Sequence, residues 1–214
     1  MLEIEKAKEQ VAFYAKKMAE EGLVLETWGN VSVRVEGKVV ITPSGLDYRK
    51  LNFIDMVVLD LHGNKKEGRW KPSSESPFHC LIYRNRKDVN AIMHTHSLYA
   101  TSFAVARKEI KPVVEDFAQA VGSRIEVAEY ALPGSDALAI NCVQALGKNS
   151  AVLLSNHGVV AVGKTMEEVL LMCKLIEKTA QISIYASMLG GPHEINKEVV
   201  KELREYFVER YGQK

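Results

Sequence analysis

A chain of 214 residues has enough interior for one large core or two small ones without disulfide staples, which excludes a peptide-sized scaffold. Its 47% hydrophobic and 26% charged residues are typical of globular proteins and exclude disordered and fibrous classes. Lys and Arg total 28 against 27 Asp and Glu, a formal charge of +1, so no general field attracts nucleic acid or an anionic membrane, and any anionic ligand must be held by local contacts.

The opening segment Met1-Leu2-Glu3-Ile4-Glu5-Lys6 intersperses charges with apolar residues, unlike a secretory leader, and no run is apolar enough to span a bilayer. From Leu2 to Glu21, the residues Ile4, Ala7, Val11, Tyr14, Ala15 and Met18 recur every three or four positions, predicting a helix that Gly22 ends. Val31–Val35 alternates with period two, Glu36-Gly37 can turn, and Lys38–Thr42 returns, the pattern of an antiparallel hairpin. A further strand, Met56–Leu61, runs into the turn His62-Gly63-Asn64.

Ser76 as cap and Pro77 in the first turn predict a helix to about Arg86, followed by a strand from Asp88 to His96 and a helix from Ser97 to about Arg107. Ile125–Tyr130 predicts a strand, Asp136–Leu146 a helix, and Ala151–Ser155 with Val159–Val162 two strands around Asn156-His157-Gly158. Thr165-Met166-Glu167-Glu168 is a capping box that opens a long helix ended by Gly190-Gly191, and a last helix runs from Lys197 to Tyr211. Cys80, Cys142 and Cys173 are odd in number and far apart, which predicts buried free thiols and a reducing, cytoplasmic setting.

Hairpins mixed with helices, without a regular strand–helix repeat, favour an α+β or layered α/β/α domain over a doubly wound parallel sheet. No linker, internal repeat or low-complexity tract interrupts the pattern, so residues 1–214 are expected to form a single domain.

His94 and His96, two apart on a predicted strand, leave the same face and can address one ion. Alone, the pair reads equally well as two half-buried histidines. His157, in a tight turn between two very apolar strands, offers a third imidazole and completes a three-histidine set of catalytic-zinc type. Lys71–Pro77 places Ser73, Ser74 and Glu75 ahead of a helix, where free N–H groups favour a phosphate, although extra serines also suit an N-cap. Gly29-Asn30 and Ser44-Gly45 add small donors on two other loops, each of which alone is an ordinary turn.

Together, Gly29-Asn30-Val31-Ser32, Thr42-Pro43-Ser44-Gly45, Ser73-Ser74-Glu75, His94-Thr95-His96-Ser97 and Asn156-His157-Gly158 occur in the order and spacing of the class II aldolase/adducin family. The chain resembles that family from the first helix to the capping-box helix and is most similar to its fuculose-phosphate aldolases. The resemblance implies a three-layer α/β/α sandwich around a central, largely antiparallel mixed sheet, and a cyclic homotetramer with active sites at subunit interfaces. It implies one Zn2+ per subunit, or another divalent metal, bound by His94, His96 and His157, with Glu75 as acid/base and additional ligand. Gly29, Asn30, Ser44, Gly45, Ser73 and Ser74 would hold the substrate phosphate. The implied reaction is reversible cleavage of a ketose 1-phosphate, of the L-fuculose 1-phosphate kind, to dihydroxyacetone phosphate and a short aldehyde such as lactaldehyde.

The chain departs from the pattern at Asp116, where the aldolases carry a tyrosine that protonates the leaving aldehyde oxygen. An aspartate there resembles the ribulose-phosphate 4-epimerases, although those carry aspartate in place of Glu75. The last helix carries Tyr206, Phe207 and Tyr211; C-terminal aromatics in similar enzymes reach a neighbour's site, and Tyr211 is the contributor expected here. An epimerase and a methylthioribulose-1-phosphate dehydratase share the implied metal set. A non-enzymatic adducin-like module does not account for three histidines beside Glu75. His62, His79 and His193 match no ligand of the family and are read as structural.

Overall fold

The computed structural model describes residues 2–211. Eight strands, β1 (Asn30–Val35), β2 (Lys38–Ile41), β3 (Val57–Asp60), β4 (Lys65–Glu67), β5 (Ala91–Thr95), β6 (Val127–Ala128), β7 (Ala151–Leu154) and β8 (Gly158–Gly163), form one sheet. Their order is β4-β3-β2-β1-β5-β8-β7-β6. Every neighbouring pair is antiparallel except β6 with β7. The helices are α1 (Leu2–Glu20), α2 (Ser76–Asn85), α3 (Leu98–Ala106), α4 (Glu115–Ala120), α5 (Asp136–Leu146), α6 (Met166–Ser187) and α7 (Lys197–Arg210).

The alternation expected of β1 and β2 forms the first hairpin. Glu36 and Gly37 both take positive φ, 49° and 71°, the left-handed pair whose twist matches the flanking strands. Side-chain alternation then divides the core into two halves. Val31, Val33, Ala91, Met93, Val159 and Ala161 pack with residues of α1, α3 and α6. Val39, Ile41, Ile92, Val152, Val160 and Val162 pack with residues of α2 and α5. This is the three-layer arrangement expected from the hairpin-and-helix pattern. By the same period of two, Asn30, Ser32 and His94 point to the α2 side, where Ser32 meets His79 and His94 meets Phe78 edge-on.

Several elements differ from the sequence reading. β4 is a wholly exposed edge strand whose Lys65-Lys66-Glu67 carries no apolar signal. α4 is six residues long, too short for periodicity to reveal. The strands expected over Asp88–His96 and Ile125–Tyr130 shorten to Ala91–Thr95 and Val127–Ala128, Ile125 making instead an isolated bridge to Ile110. Glu75, not Ser76, caps α2, and its side chain makes no capping hydrogen bond because it is turned elsewhere. Thr165 caps α6 by accepting from the Glu168 N–H, while the Glu168 carboxylate reaches one residue further back, to the N–H of Lys164. The three cysteines are buried and free. Among the described residues no helix is long and apolar enough to cross a membrane.

The start of β8 runs tightly against the end of β5. A Cβ added at Gly158 would lie 2.2 Å from the Thr95 carbonyl oxygen and 3.2–3.3 Å from the rings of His94 and His96. Gly158→Ala therefore forces the strands apart, at a cost of about 1–3 kcal/mol. Thermal unfolding is expected to shift down by roughly 2–4 °C per kcal/mol; an unshifted melt would contradict this packing.

Candidate active site

β5 lies between β1 and β8 in the sheet, and its last turn of chain carries His94 and His96 out of a rigid frame. His94 is fully buried, and its Nδ1 donates to the Val159 carbonyl oxygen at 2.9 Å. That bond fixes the tautomer, so the Nε2 lone pair faces the opposite way. The tight link from β7 to β8 presents His157, with Asn156 in the left-handed region at φ 56°, a conformation asparagine tolerates better than most residues. The Arg107 guanidinium donates to the Asn156 side chain and ties this turn to the end of α3.

The three Nε2 atoms converge. His94 lies 2.9 Å from His96 and 3.2 Å from His157, and the Glu75 carboxylate completes the group at 3.1 Å from His94 and 3.3 Å from His157. All four ligand atoms lie within 4.8 Å of one another. Ligands about 2.0–2.1 Å from a tetrahedral ion are roughly 3.3 Å apart, so these spacings fit a single divalent cation. Glu75 Oε1 is buried without a hydrogen-bond partner, as an atom reserved for a cation or proton would be.

Electrostatics favour the ligating forms. Burial, reinforced by His94, pushes His96 down to about 3 and His157 down to about 4, so both imidazoles are neutral at neutral pH. Burial works to raise the Glu75 carboxyl, but His94, His157 and the Asn30 hydrogen bond outweigh it and hold the group below the usual carboxylate range. The N-terminal end of α2, which Glu75 caps, adds a positive partial charge in the same direction.

Behind Glu75 lies a polar chain inside the α2 half of the core. Asn30 Nδ2 donates to Glu75 Oε2 at 2.8 Å, and Asn30 Oδ1 lies 2.5 Å from His79 Nε2. His79 Nδ1 lies 2.7 Å from Ser32 Oγ, which is 2.9 Å from the Tyr83 hydroxyl. Asn30, Ser32, His79 and Tyr83 are all buried.

Three loops meet in front of the cluster. Pro43 and Pro72 form an antiparallel bridge, flanked by bonds from the Ser44 N–H to Lys71 O at 3.0 Å and from the Ser73 N–H to Thr42 O at 3.1 Å. The Tyr48 hydroxyl donates to Gly29 O, and Gly29, at φ 80°, lies so close to β5 that a Cβ would come 2.6 Å from the His94 carbonyl oxygen. The result is a cavity of about 470 Å³ whose walls include Gly29, Asn30, Ser44, Gly45, Ser73, Ser74, Glu75, His96 and His157. Neither Lys nor Arg is among its lining residues; an anion there is met by N–H and hydroxyl groups.

The structure thus brings together, in or directly behind one cavity, ten of the sequence-predicted residues: the nine lining ones and His94. It does not bring Asp116 or Tyr211 there. Asp116 opens α4 and pairs with Lys178 of α6, and Tyr211 follows α7, exposed, with its ring stacked on Phe207 at 5.0 Å. The walls also include Thr27, Tyr130, Ala131 and Pro133, which the sequence reading missed, and Trp28, Pro43 and Asn156, which it placed in motifs without assigning them to the site. Trp28 stands beside the Gly29-Asn30 motif and was detectable by that adjacency; Tyr130–Pro133 carries no signal, because only Gly134, packed 2.9 Å from Ser74 O if given a Cβ, carries that loop to the cavity.

The family description "class II aldolase and adducin N-terminal domain" matches residues 9–184. A 5-deoxy-D-ribulose 1-phosphate aldolase of Bacillus thuringiensis serovar kurstaki is 36% identical, over 98% of this chain and 99% of that one. An L-fuculose phosphate aldolase of Escherichia coli strain K12 is 33% identical over 89% and 88%. A solved L-fuculose 1-phosphate aldolase superposes with a TM-score of 0.92 at 35% identity, covering 95% and 96%. The chain belongs to the class II aldolase and adducin family. Within it, the chain is an aldolase-type enzyme similar to the fuculose-phosphate aldolases.

Buried His79 makes the fold sensitive to acid. His79 is pushed down to about 3 by burial, from an ordinary value of 6.5, so it takes up a proton more readily in the unfolded chain. Its contribution is complete above about pH 6.5 and is lost as pH falls toward 3. Glu75, held low, contributes in the same direction below its ordinary 4.5. Urea unfolding midpoints are expected to fall between pH 7.5 and pH 5; equal midpoints would show that this imidazole is not buried as a neutral base.

Proposed function

We propose that this protein is a cytoplasmic, divalent-metal aldolase, with one zinc per subunit, that reversibly cleaves a ketose 1-phosphate to dihydroxyacetone phosphate and a short aldehyde. L-Fuculose 1-phosphate, giving lactaldehyde, and a 5-deoxypentulose 1-phosphate are the substrates to try first, since the relatives named above act on such sugars. The observation that carries the reading is the cluster of Glu75, His94, His96 and His157 bordering a cavity walled by small hydrogen-bond donors.

His94, His96 and His157 would hold the ion, with Glu75 as an additional ligand. A bound divalent cation supplies a Lewis acid for the negative charge left on the ketose oxygens when the carbon–carbon bond breaks. Gly29, Asn30, Ser44, Gly45, Ser73 and Ser74 bind the phosphate and turn its binding energy into orientation of the bond to be cleaved. Cleavage leaves an electron pair on the dihydroxyacetone phosphate carbon; Glu75 delivers a proton to that carbon through Oε1, and in the synthetic direction removes it. The hydroxyl proton of the aldehyde half passes to a second group. Asp116 and Tyr211, remote from their own chain's cavity, are assigned to that end of the substrate in a neighbouring subunit of a homotetramer, with 1–214 acting as a single domain.

The metal-loaded enzyme is expected to release triose phosphate from a ketose 1-phosphate in step with substrate loss. Formation of an isomeric pentose phosphate instead would make the protein an epimerase, and loss of water a dehydratase. Glu75→Gln is expected to lower kcat by about 10²–10⁴-fold while about one zinc per chain is retained; unchanged turnover would remove Glu75 from the proton transfer.

A further inference from the structure

We infer that His79, which lines no cavity and touches no ligand atom of the cluster, is a positioning residue that acts through Asn30 to hold Glu75 with Oε2 engaged and Oε1 available for the metal or a proton. The inference rests on the reading of Glu75 as ligand and proton carrier, and it follows from donor and acceptor accounting along the buried chain.

An ionised carboxylate only accepts. The atom of Asn30 at 2.8 Å from Glu75 Oε2 must therefore be the amide nitrogen, which leaves Asn30 Oδ1 facing His79. Oδ1 only accepts, so the His79 nitrogen at 2.5 Å must carry a proton. His79 is fully buried with no carboxylate in contact, and burial keeps it neutral. Its Nδ1 is then an acceptor, served by the Ser32 hydroxyl at 2.7 Å, while Tyr83 donates to the Ser32 carbonyl oxygen at 3.0 Å. Each orientation is dictated by the next, and all of them end at Glu75. If His79 held its proton on Nδ1, its Nε2 lone pair would face Asn30 Oδ1, acceptor against acceptor, and the Asn30 amide could no longer satisfy both His79 and Glu75.

The consequence is an inequivalence of the two Glu75 oxygens. Both oxygens face the cluster, Oε2 at 3.1 Å from His94 Nε2 and Oε1 at 3.3 Å from His157 Nε2, but Oε2 also receives the Asn30 N–H while Oε1 is buried without a hydrogen-bond partner. Phe78, the neighbour of His79 on α2, stacks on the His79 ring at 4.6 Å and meets His94 edge-on at 5.6 Å, packing one face of the imidazole. Asn30 serves two ends at once: it is a wall of the cavity and donates to Glu75 Oε2 from outside the ligand cluster.

The test uses the full-length, zinc-loaded protein and does not depend on the identity of the sugar. Nitrogen-15 NMR of the imidazoles is expected to find His79 neutral with its proton on Nε2; a proton on Nδ1 overturns the proposal outright, with no variant needed. For variants, affinity is read with Co2+ by chelator competition, together with the cobalt visible spectrum. His79→Asn, which cannot reach Asn30, is expected to weaken Co2+ binding by roughly 10–100-fold and to change the spectrum. His79→Gln, whose amide nitrogen can stand near the lost Nε2, is expected to recover affinity to within about 3-fold of wild type, a factor within the ordinary context-dependence of such contacts. In an Asn30→Ala background, His79→Asn should have no further effect, because its route to Glu75 is already cut. Wild-type cobalt affinity and spectrum in a folded His79→Asn protein, or additive losses in the double variant, would overturn the proposal. If His79→Asn does not fold, Ser32→Ala, which removes the donor to Nδ1, must move the same two readouts in the same direction, and its failure to do so also counts against the proposal. Absence of aldolase activity with intact cobalt coupling would refute the proposed reaction and leave the positioning role standing.

Discussion

Four acceptor atoms aimed at one point are the constraint on which the rest of this structure depends. Three imidazole lone pairs and a carboxylate within 4.8 Å of one another repel in a buried setting unless a cation or protons lie among them. Such a group has to be assembled against its own electrostatics by parts that do not yield. The parts are the central strand β5, the left-handed turn at Asn156, and the N-terminal end of α2; β5 is held against the starts of β1 and β8 by backbone contacts with no space for a Cβ at Gly29 or Gly158.

The same constraint explains why this half of the core is not wholly apolar. A buried polar group left without a partner costs about 1–3 kcal/mol, so a polar chain is tolerated only when it is complete. Asn30, His79, Ser32 and Tyr83 meet that condition and run from the core to Glu75. Apolar residues of similar volume could fill the space, yet they could not orient a carboxylate. The opposite half, between the sheet and α1, α3 and α6, is filled mainly by apolar side chains, Phe117 and several methionines among them.

The cavity has a complementary economy of charge. Its lining contains neither Lys nor Arg, so a sugar phosphate would be met by N–H and hydroxyl groups and by the cation. Neutral donors on short, cross-bridged loops define position more narrowly than long flexible cations do. With a net charge of only +1 the chain has no general attraction for anions, so an anion would have to be held by local contacts.

Much of this was legible in one dimension because it depends on short-range periodicity. The spacing of His94 and His96 placed both on one face, the glycine beside His157 marked its turn, and Pro77 marked the start of α2, since residues two or four apart have few ways to be arranged locally. The same holds for the helices α1, α5 and α6 and for the first hairpin. What local pattern could not carry was decided by chain segments far apart in sequence. The exposed strand β4 and the short α4 exist through their neighbours; Glu75 occupies the cap position of α2 while its side chain turns to the cluster; Tyr130 reaches the cavity on a loop held by packing against Ser74; and His79, which looks like any helical core histidine, gains its part only when β1 brings Asn30 and Ser32 across it. The sequence by itself determined the ligand types, their local geometry and the layered fold. Only the tertiary structure decided which of them meet and which buried hydrogen bonds orient them, because a hydrogen bond between residues 49 apart has no signature in the spacing of either one.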